Sequence, residues 1–357
     1  MARLIPLIIL ALVVYSWLKN KKRLDPEKFG VKSSAPAQSA RSRELGFLPA
    51  DQLDTERAAP ADPALAAALT AARAGDWQPA AALLVATGAD WERRAAFVSS
   101  LGSAGAKDDA WLVAWESARP DDPDAAVVRA DTTVSVAGAL RGSATAKKTT
   151  QEQFDGFHRM MRQARSEIAR AAELNPTDPT PAISEIWVAL ALGYPHEEMR
   201  RLWAQITARA PYHYSAHYSA LQYWCQKWRG SVELGTDFAA HAAATAPQGS
   251  LLTALPLICW YEHESFGHTS RGYGSPEVAA LVDALAADVA AASEDHPRLR
   301  EVRLLLAWYL VKLERHEAAL EQFLLVDGYV GGFPWSYYGD TAKTYVKARE
   351  RTVRATA

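Results

Sequence analysis

The spacing of three prolines limits, more than any other feature, what this chain can fold into. Pro176, Pro211 and Pro247 lie 35 and 36 residues apart, with apolar residues at helical intervals between them. Proline fits the first turn of a helix and ends a preceding one. A period of this length holds two helices and their turns, and such a pair buries its apolar face by stacking on its neighbours. We therefore expect an all-α chain built as an α-solenoid of stacked helix pairs.

Composition agrees with a helical chain and argues against a nucleic-acid partner. Hydrophobic residues make up 49% of the chain and charged residues 22%, and the alanine-rich middle shows no long β-branched alternation. The formal net charge is -2, and residues 1–23 carry five Lys or Arg residues without an acid, so the remainder carries -7. A mildly acidic body lacks the basic stripe of nucleic-acid-binding domains.

A recurring P-x-D-P sequence predicts where first helices begin. It occurs at Pro60–Pro63, Pro120–Pro123 and Pro176–Pro179. Aspartate accepts hydrogen bonds from the free N–H groups at a helix start, and proline at the first helical position sacrifices no hydrogen bond. Each copy is therefore expected to start the first helix of a pair.

Second helices carry a small residue and a large residue one turn apart on the same face. The pattern is Trp77-x-x-Ala80-x-x-x-Leu84 in one segment and His316-x-x-Ala319-x-x-x-Phe323 in another. Such spacing lets a facing helix approach closely at the small residue. The segment from Leu299 to Phe323 resembles a tetratricopeptide repeat, with the family's small and large positions occupied by Ala307, Leu310, Ala319 and Phe323.

The resemblance covers roughly residues 60 to 330. The pair that Pro211 closes departs from it, because Trp203 holds the large position but Met199 holds the small one. The resemblance implies a tetratricopeptide-like repeat domain, with irregular repeats, over residues 61–350.

The densest aromatic stretch, residues 211–231, is predicted to form a helix that a proline opens and a glycine closes. Its end, Trp228, Gly230 and Ser231, is similar to a W-x-G-S signature of uncharacterised bacterial helical-repeat proteins. As a turn, Gly230 would take a positive φ and Ser231 would cap the next helix. The alternative is that Trp224 and Trp228 anchor a bound peptide. Core packing is favoured and would place Gln222, Lys227 and Arg229 on the solvated side.

The first 23 residues are predicted to form a transmembrane anchor with a basic flank. Residues 4–18 are an apolar run that ends in Lys19-Asn20-Lys21-Lys22-Arg23. The charge follows the run, so a single-pass anchor in the cell membrane with a cytoplasmic soluble part is favoured over a cleaved signal peptide and a secreted protein. Residues 24–60 are small and polar, which predicts a disordered linker.

Two groups of histidines allow a metal-dependent enzyme as an alternative. His213 and His217 have i, i+4 spacing, whereas His263, Glu264 and His268 form H-E-x-x-x-H, one residue longer than the zinc hydrolase motif. The sequence contains no Walker phosphate-binding sequence, no dinucleotide-binding fingerprint and no nucleophile elbow. We therefore assign no catalytic, metal or cofactor residue, and expect Cys225 and Cys259 to be buried thiols.

Three stretches are predicted to interrupt the helices: residues 133–153, rich in Gly, Ser, Thr and Lys, and the glycine-containing residues 266–276 and 327–340. The third contains five aromatic residues, so it is either packed onto the body or used for binding. Together these observations favour a membrane-tethered scaffold for an unidentified protein or peptide partner, without a small-molecule substrate.

Overall fold

The computed structural model describes residues 37–142, 150–264 and 272–357. In these ranges it contains sixteen α-helices and no β-strand, so the predicted all-α class is confirmed. An isolated parallel bridge joins Asp54 to Tyr329. In chain order the helices are α1 (Ala40–Glu44), α2 (Pro63–Arg73), α3 (Gln78–Thr87), α4 (Trp91–Gly105), α5 (Ala110–Ala118), α6 (Pro123–Arg141), α7 (Gln151–Leu174), α8 (Thr180–Leu192), α9 (His196–Thr207), α10 (Tyr214–Trp224), α11 (Val232–Thr245), α12 (Ala254–Glu264), α13 (Pro276–Ala291), α14 (Leu299–Lys312), α15 (His316–Val326) and α16 (Thr341–Ala355).

The described residues divide into two compact units. The first unit comprises residues 61–242, which include α2 to α10 and most of α11. The second comprises residues 37–60 and 243–357, which include α1 and α12 to α16. In the second unit Ala319 and Phe323 are fully buried, as the spacing on α15 predicts.

The P-x-D-P sequences do begin helices in the first unit. Asp62 accepts hydrogen bonds from the N–H groups of Ala64 and Leu65 at 2.9 and 3.1 Å. Asp122 similarly caps α6, which starts at Pro123. The third copy starts α8 one residue later than its proline, with Asp178 accepting from the Thr180 N–H group at 2.8 Å. Local capping therefore determines these three helix starts.

A buried arginine ties two of these helix starts together. Arg94, on α4, is 4% exposed. Its Nε donates to Asp178 at 2.7 Å, and its Nη2 donates to Asp124 in the first turn of α6 at 2.5 Å. Burial raises the pKa of Asp124, while the ion pair with Arg94 lowers it. Loss of one partner would leave buried charge uncompensated, so the cluster is a structural element of the first unit.

Residues 37–60 differ from the disordered linker that their composition predicts. Phe47 is 5% exposed, and the Arg349 guanidinium lies over its ring at 4.7 Å. The Leu48 N–H group donates to Asp327 at 2.7 Å, and the Leu48 carbonyl accepts from Arg349 at 2.9 Å. The composition of the segment did not predict this order, because only a few apolar side chains and backbone groups attach the segment to the rest of the second unit.

The predicted interruption between residues 133 and 153 begins later than expected. Helix α6 continues to Arg141, because Val134 and Ala137 extend its buried face. Helix α7 starts with a capping box between Thr150 and Gln153. Residues 143–149 lie outside the described ranges, as does most of the second predicted interruption.

The aromatic stretch at residues 327–340 is packed onto the second unit. Trp335 is fully buried, and its Nε1 donates to the Leu304 carbonyl at 2.8 Å. Phe333 is 6% exposed. Of the two alternatives for this loop, these contacts support packing onto the body.

The predicted anchor, residues 4–18, lies outside the described residues. In the part of the chain that the structure covers, every helix is too short or too polar to span a bilayer.

Candidate functional site

The W-x-G-S signature lies in a turn that begins earlier than predicted. Helix α10 ends at Trp224, six residues before Gly230, so the prediction of one helix up to the glycine is wrong. The Cys225 backbone is extended, with φ of -68° and ψ of 148°. Its carbonyl accepts from the N–H groups of Trp228 and Gly230 at 3.0 and 3.3 Å. The chain therefore leaves the helix at Cys225 and folds back over the helix end.

Gly230 is required for a different reason from the one predicted. It does not belong to the described glycines with positive φ, so the predicted left-handed helix end is wrong. A Cβ atom at this position would lie 1.7 Å from the Trp224 carbonyl oxygen and 2.3 Å from its carbonyl carbon. Only glycine lets the backbone approach so closely.

Ser231 caps the next helix, as predicted. Its Oγ accepts a hydrogen bond from the Leu234 N–H group at 3.1 Å, which satisfies a free donor at the start of α11. Glu233 occupies the first turn of this helix. The serine therefore fixes the direction in which the chain leaves the turn.

The two tryptophans of this region are buried, as core packing predicts. Trp224 and Trp228 are each 6% exposed. The Trp224 ring packs edge to face on Tyr223 and His196, at centroid distances of 4.9 and 5.1 Å. Gln222 is 3% exposed, so its predicted place on the solvated side of the helix is wrong. Large side chains pack on several faces of α10, so the Gln222 amide is buried as well.

Arg229, the residue between Trp228 and Gly230, points its guanidinium across the first unit toward Gly193. A Cβ atom at Gly193 would lie 2.6 Å from Nη2 of Arg229, so this glycine makes room for the arginine. His196 Nε2 lies 2.6 Å from the Arg229 carbonyl. A carbonyl can only accept, so His196 carries its proton on Nε2 and donates it there. The backbone of Arg229 is thereby fixed to the start of α9.

Two more arginines lie beside Arg229. Arg200 of α9 is exposed, with its guanidinium carbon 5.7 Å from the centre of the Trp224 ring. Arg162 of α7 is exposed and lies near the ring of His158. Burial lowers the pKa of His158, and the charges of Arg162 and Arg229 lower it further, while Asp155 opposes them. We call Arg162, Arg200 and Arg229 the arginine surface.

Acidic residues near the arginine surface do not form ion pairs with it. Glu198 pairs with Arg165 at 2.6 Å, and Glu197 pairs with Arg201 at 3.0 Å. Asp155, whose charge acts on His158 against those of Arg162 and Arg229, accepts a hydrogen bond from Gln151 at 2.8 Å. Among the described residues, no ion pair involves a member of the arginine surface. The surface therefore keeps three guanidinium groups that no described carboxylate pairs with directly.

His213 and His217 are buried and hydrogen-bonded. Nδ1 of His213 accepts from the Ala216 N–H group at 3.2 Å, so Nε2 carries the proton and donates to the Trp91 carbonyl at 3.1 Å. His217 Nδ1 lies 2.9 Å from the His213 carbonyl and must donate to it. Burial lowers the pKa of His217 to about 4. Both nitrogens of His213 are thus used by the protein itself, which argues against a shared metal ion.

The second histidine group is only partly within the described residues, since His268 is outside them. His263 Nδ1 lies 3.6 Å from the Cys259 sulfur, and Glu262 accepts from the Tyr337 hydroxyl at 3.1 Å. Cys225 and Cys259 are buried thiols, as predicted. Within the second unit, a thiol and an imidazole therefore lie close together on one turn of α12.

Sequence reasoning missed the arginine surface. Its members belong to α7, α9 and the signature turn, 38 and 29 residues apart along the chain. The available signal was Arg229 inside the signature, between residues that build a rigid turn. No family model, curated protein or solved structure matches the chain.

Proposed function

We propose that this chain is a membrane-tethered helical-repeat module that binds a partner protein at the arginine surface. The observation that carries the proposal is the set of three guanidinium groups without a carboxylate partner, supported by a rigid turn. Arginine is enriched at protein interfaces, where its planar group forms several hydrogen bonds at once.

The signature turn gives this surface the rigidity that binding requires. The close approach at Gly230 and the Ser231 cap hold the backbone that follows Arg229, and His196 holds the Arg229 carbonyl. Arg200 lies against the ring of Trp224, which restricts its rotamers. Side chains that are already ordered lose less entropy when a partner binds, so such a surface binds more tightly than a mobile one.

The repeat fold and the location at the membrane complete the proposal. Successive helices with buried small and large positions, such as Ala319 and Phe323 on α15, support a tetratricopeptide-like solenoid. Residues 4–18 and the basic residues after them support a single-pass anchor with the repeats in the cytoplasm. The protein would then hold its partner close to the membrane.

Site-specific photo-crosslinking in the full-length protein, expressed in its own cells, tests the docking site. A photo-reactive side chain in place of Arg159, exposed on α7 one turn before Arg162, keeps all three arginines of the surface and should give a discrete protein adduct. The control position is Arg170, also exposed on α7, about 16 Å further along the helix and paired with Asp121 at 2.9 Å. Equal adducts from both positions, or none from position 159, would contradict the proposal.

A further inference from the structure

We propose that the occupant of the arginine surface is an acidic segment of a partner protein, held by Asp and Glu carboxylates. This inference rests on the proposed docking function and deepens it. A carboxylate matches the paired N–H donors of a guanidinium in a bidentate arrangement, which gives geometric specificity as well as attraction.

Contacts connect Arg229 to the surroundings of both other arginines. On the Arg200 side, the Arg200 guanidinium carbon lies 5.7 Å from the centre of the Trp224 ring, and His196, which packs on that ring, donates to the Arg229 carbonyl. On the Arg162 side, the Arg229 guanidinium lies at Gly193, next to Tyr194, and Arg165, one turn after Arg162 on α7, lies 4.7 Å from the centre of the Tyr194 ring. Burial, and then the charges of Arg162 and Arg229, lower the pKa of His158, which agrees with this placement. Several separate cations fit an extended chain with several carboxylates better than one small anion.

The charge of this surface comes from its three arginines. The pKa of His158 beside them is lowered by burial and by their charges. Arginine keeps its charge at every pH at which the protein is folded. Binding should therefore depend on salt concentration and vary little with pH between about 7 and 9.

An acidic peptide fits this surface better than a nucleic acid does. The chain after residue 23 carries a net charge of -7, which repels a polyanion outside the local surface. Single-stranded nucleic acids are also bound by stacking on aromatic rings, but Trp224 and Trp228 are only 6% exposed. A partner with a few carboxylates on a short segment meets less repulsion.

Fluorescence anisotropy with full-length protein in detergent tests the class of partner. The probe is a labelled short peptide rich in Asp and Glu, and the matched probe has Asn and Gln in their place. We expect saturable binding of the acidic probe that Arg229→Ala weakens about tenfold or more, the loss expected for one charge-assisted hydrogen bond. Arg162→Ala should weaken it as well, and its exposed position keeps this result independent of any effect on folding.

Arg201→Ala is the control, since Arg201 follows Arg200 on the same helix but already pairs with Glu197 at 3.0 Å. This variant should bind the acidic probe as the unmodified protein does. Equal binding of the amide probe, or equal losses in all three variants, would overturn the proposal. Tighter binding of inorganic phosphate or of a single-stranded oligonucleotide of matched charge would overturn it in favour of those ligands.

The result separates this inference from the function on which it rests. If adducts form at position 159 in cells but the acidic probe does not bind, docking stands and the acidic class of partner is wrong. If neither adducts nor probe binding occur, the docking function itself is wrong.

Discussion

Asp131 allows a quantitative test of the interior of the first unit. This carboxylate, on α6, is 8% exposed, and its Oδ1 accepts from the Ser184 hydroxyl at 3.2 Å. Its Oδ2 has no hydrogen-bond partner among the described residues and faces Gly102, where a Cβ atom would lie 2.4 Å from it. The perturbation we consider is Asp131→Asn, which removes the ionisable group and keeps its shape.

The magnitude follows from the pKa of this group. Burial raises the pKa of Asp131 to about 6 from an ordinary 3.8, and the Ser184 hydroxyl opposes this rise. Because the folded-state pKa is above the unfolded one, the folded protein binds the proton more tightly, and stability falls as pH rises through this window. A difference of about two pKa units corresponds to roughly 3 kcal/mol of unfolding free energy over the whole titration. Roughly 2 kcal/mol of this falls between pH 4 and pH 7.5, because the unfolded carboxyl is already more than half ionised at pH 4.

Denaturant unfolding of both proteins at pH 4 and pH 7.5 measures this contribution. The unfolding free energy of Asp131→Asn minus that of the unmodified protein should be roughly 2 kcal/mol larger at pH 7.5 than at pH 4. Any constant cost of burying the new amide cancels in this comparison. Ser184→Ala should raise the pKa of Asp131 further and extend the loss of stability to higher pH. An equal difference at both pH values would refute the reasoning.

Three further predictions concern the turn, the buried ion cluster and the anchor. In a urea titration, Gly230→Ala should lower the unfolding free energy by about 3 kcal/mol or more, because the new Cβ atom forces the backbone apart. Gly274→Ala, at a position with open space, should leave the unfolding free energy within about 1 kcal/mol of that of the unmodified protein. Arg94→Met should cost about 3 to 5 kcal/mol by leaving two buried carboxylates unpaired, and Arg93→Met, at a half-exposed neighbour, less than about 1 kcal/mol. Removing residues 1–23 should move the protein from the membrane to the soluble fraction with its helical circular-dichroism spectrum unchanged; an unfolded spectrum would contradict this.

What could be predicted from the sequence was mainly local. The caps at Asp62, Asp122 and Ser231 depend on hydrogen bonds that span two or three residues. Such bonds form whenever the right side chain precedes a helix, whatever the rest of the fold does. The burial of Phe323 was similarly predictable, because a helical period identifies its apolar face.

Features that depend on distant contacts were not predictable in the same way. Arg94 and Asp178 are 84 residues apart, and neither has a neighbour in sequence that indicates the other. Residues 37–60 read as a linker because their composition does not show that Arg349 packs on Phe47. The close contact at Gly230 was missed because glycine more often indicates a positive φ than a lack of space.

The signature turn shows how these two kinds of information combine at the candidate site. Trp228, Gly230 and Ser231 are explained by burial, close approach and capping, so each of them is needed to build the turn. Arg229 satisfies none of these requirements: its side chain is half-buried and belongs to no ion pair among the described residues. A turn that needs three of its four residues for its own geometry fixes the position of the fourth. We therefore place the docking function at this remaining position, and expect that changes of Arg229 alter binding far more than stability.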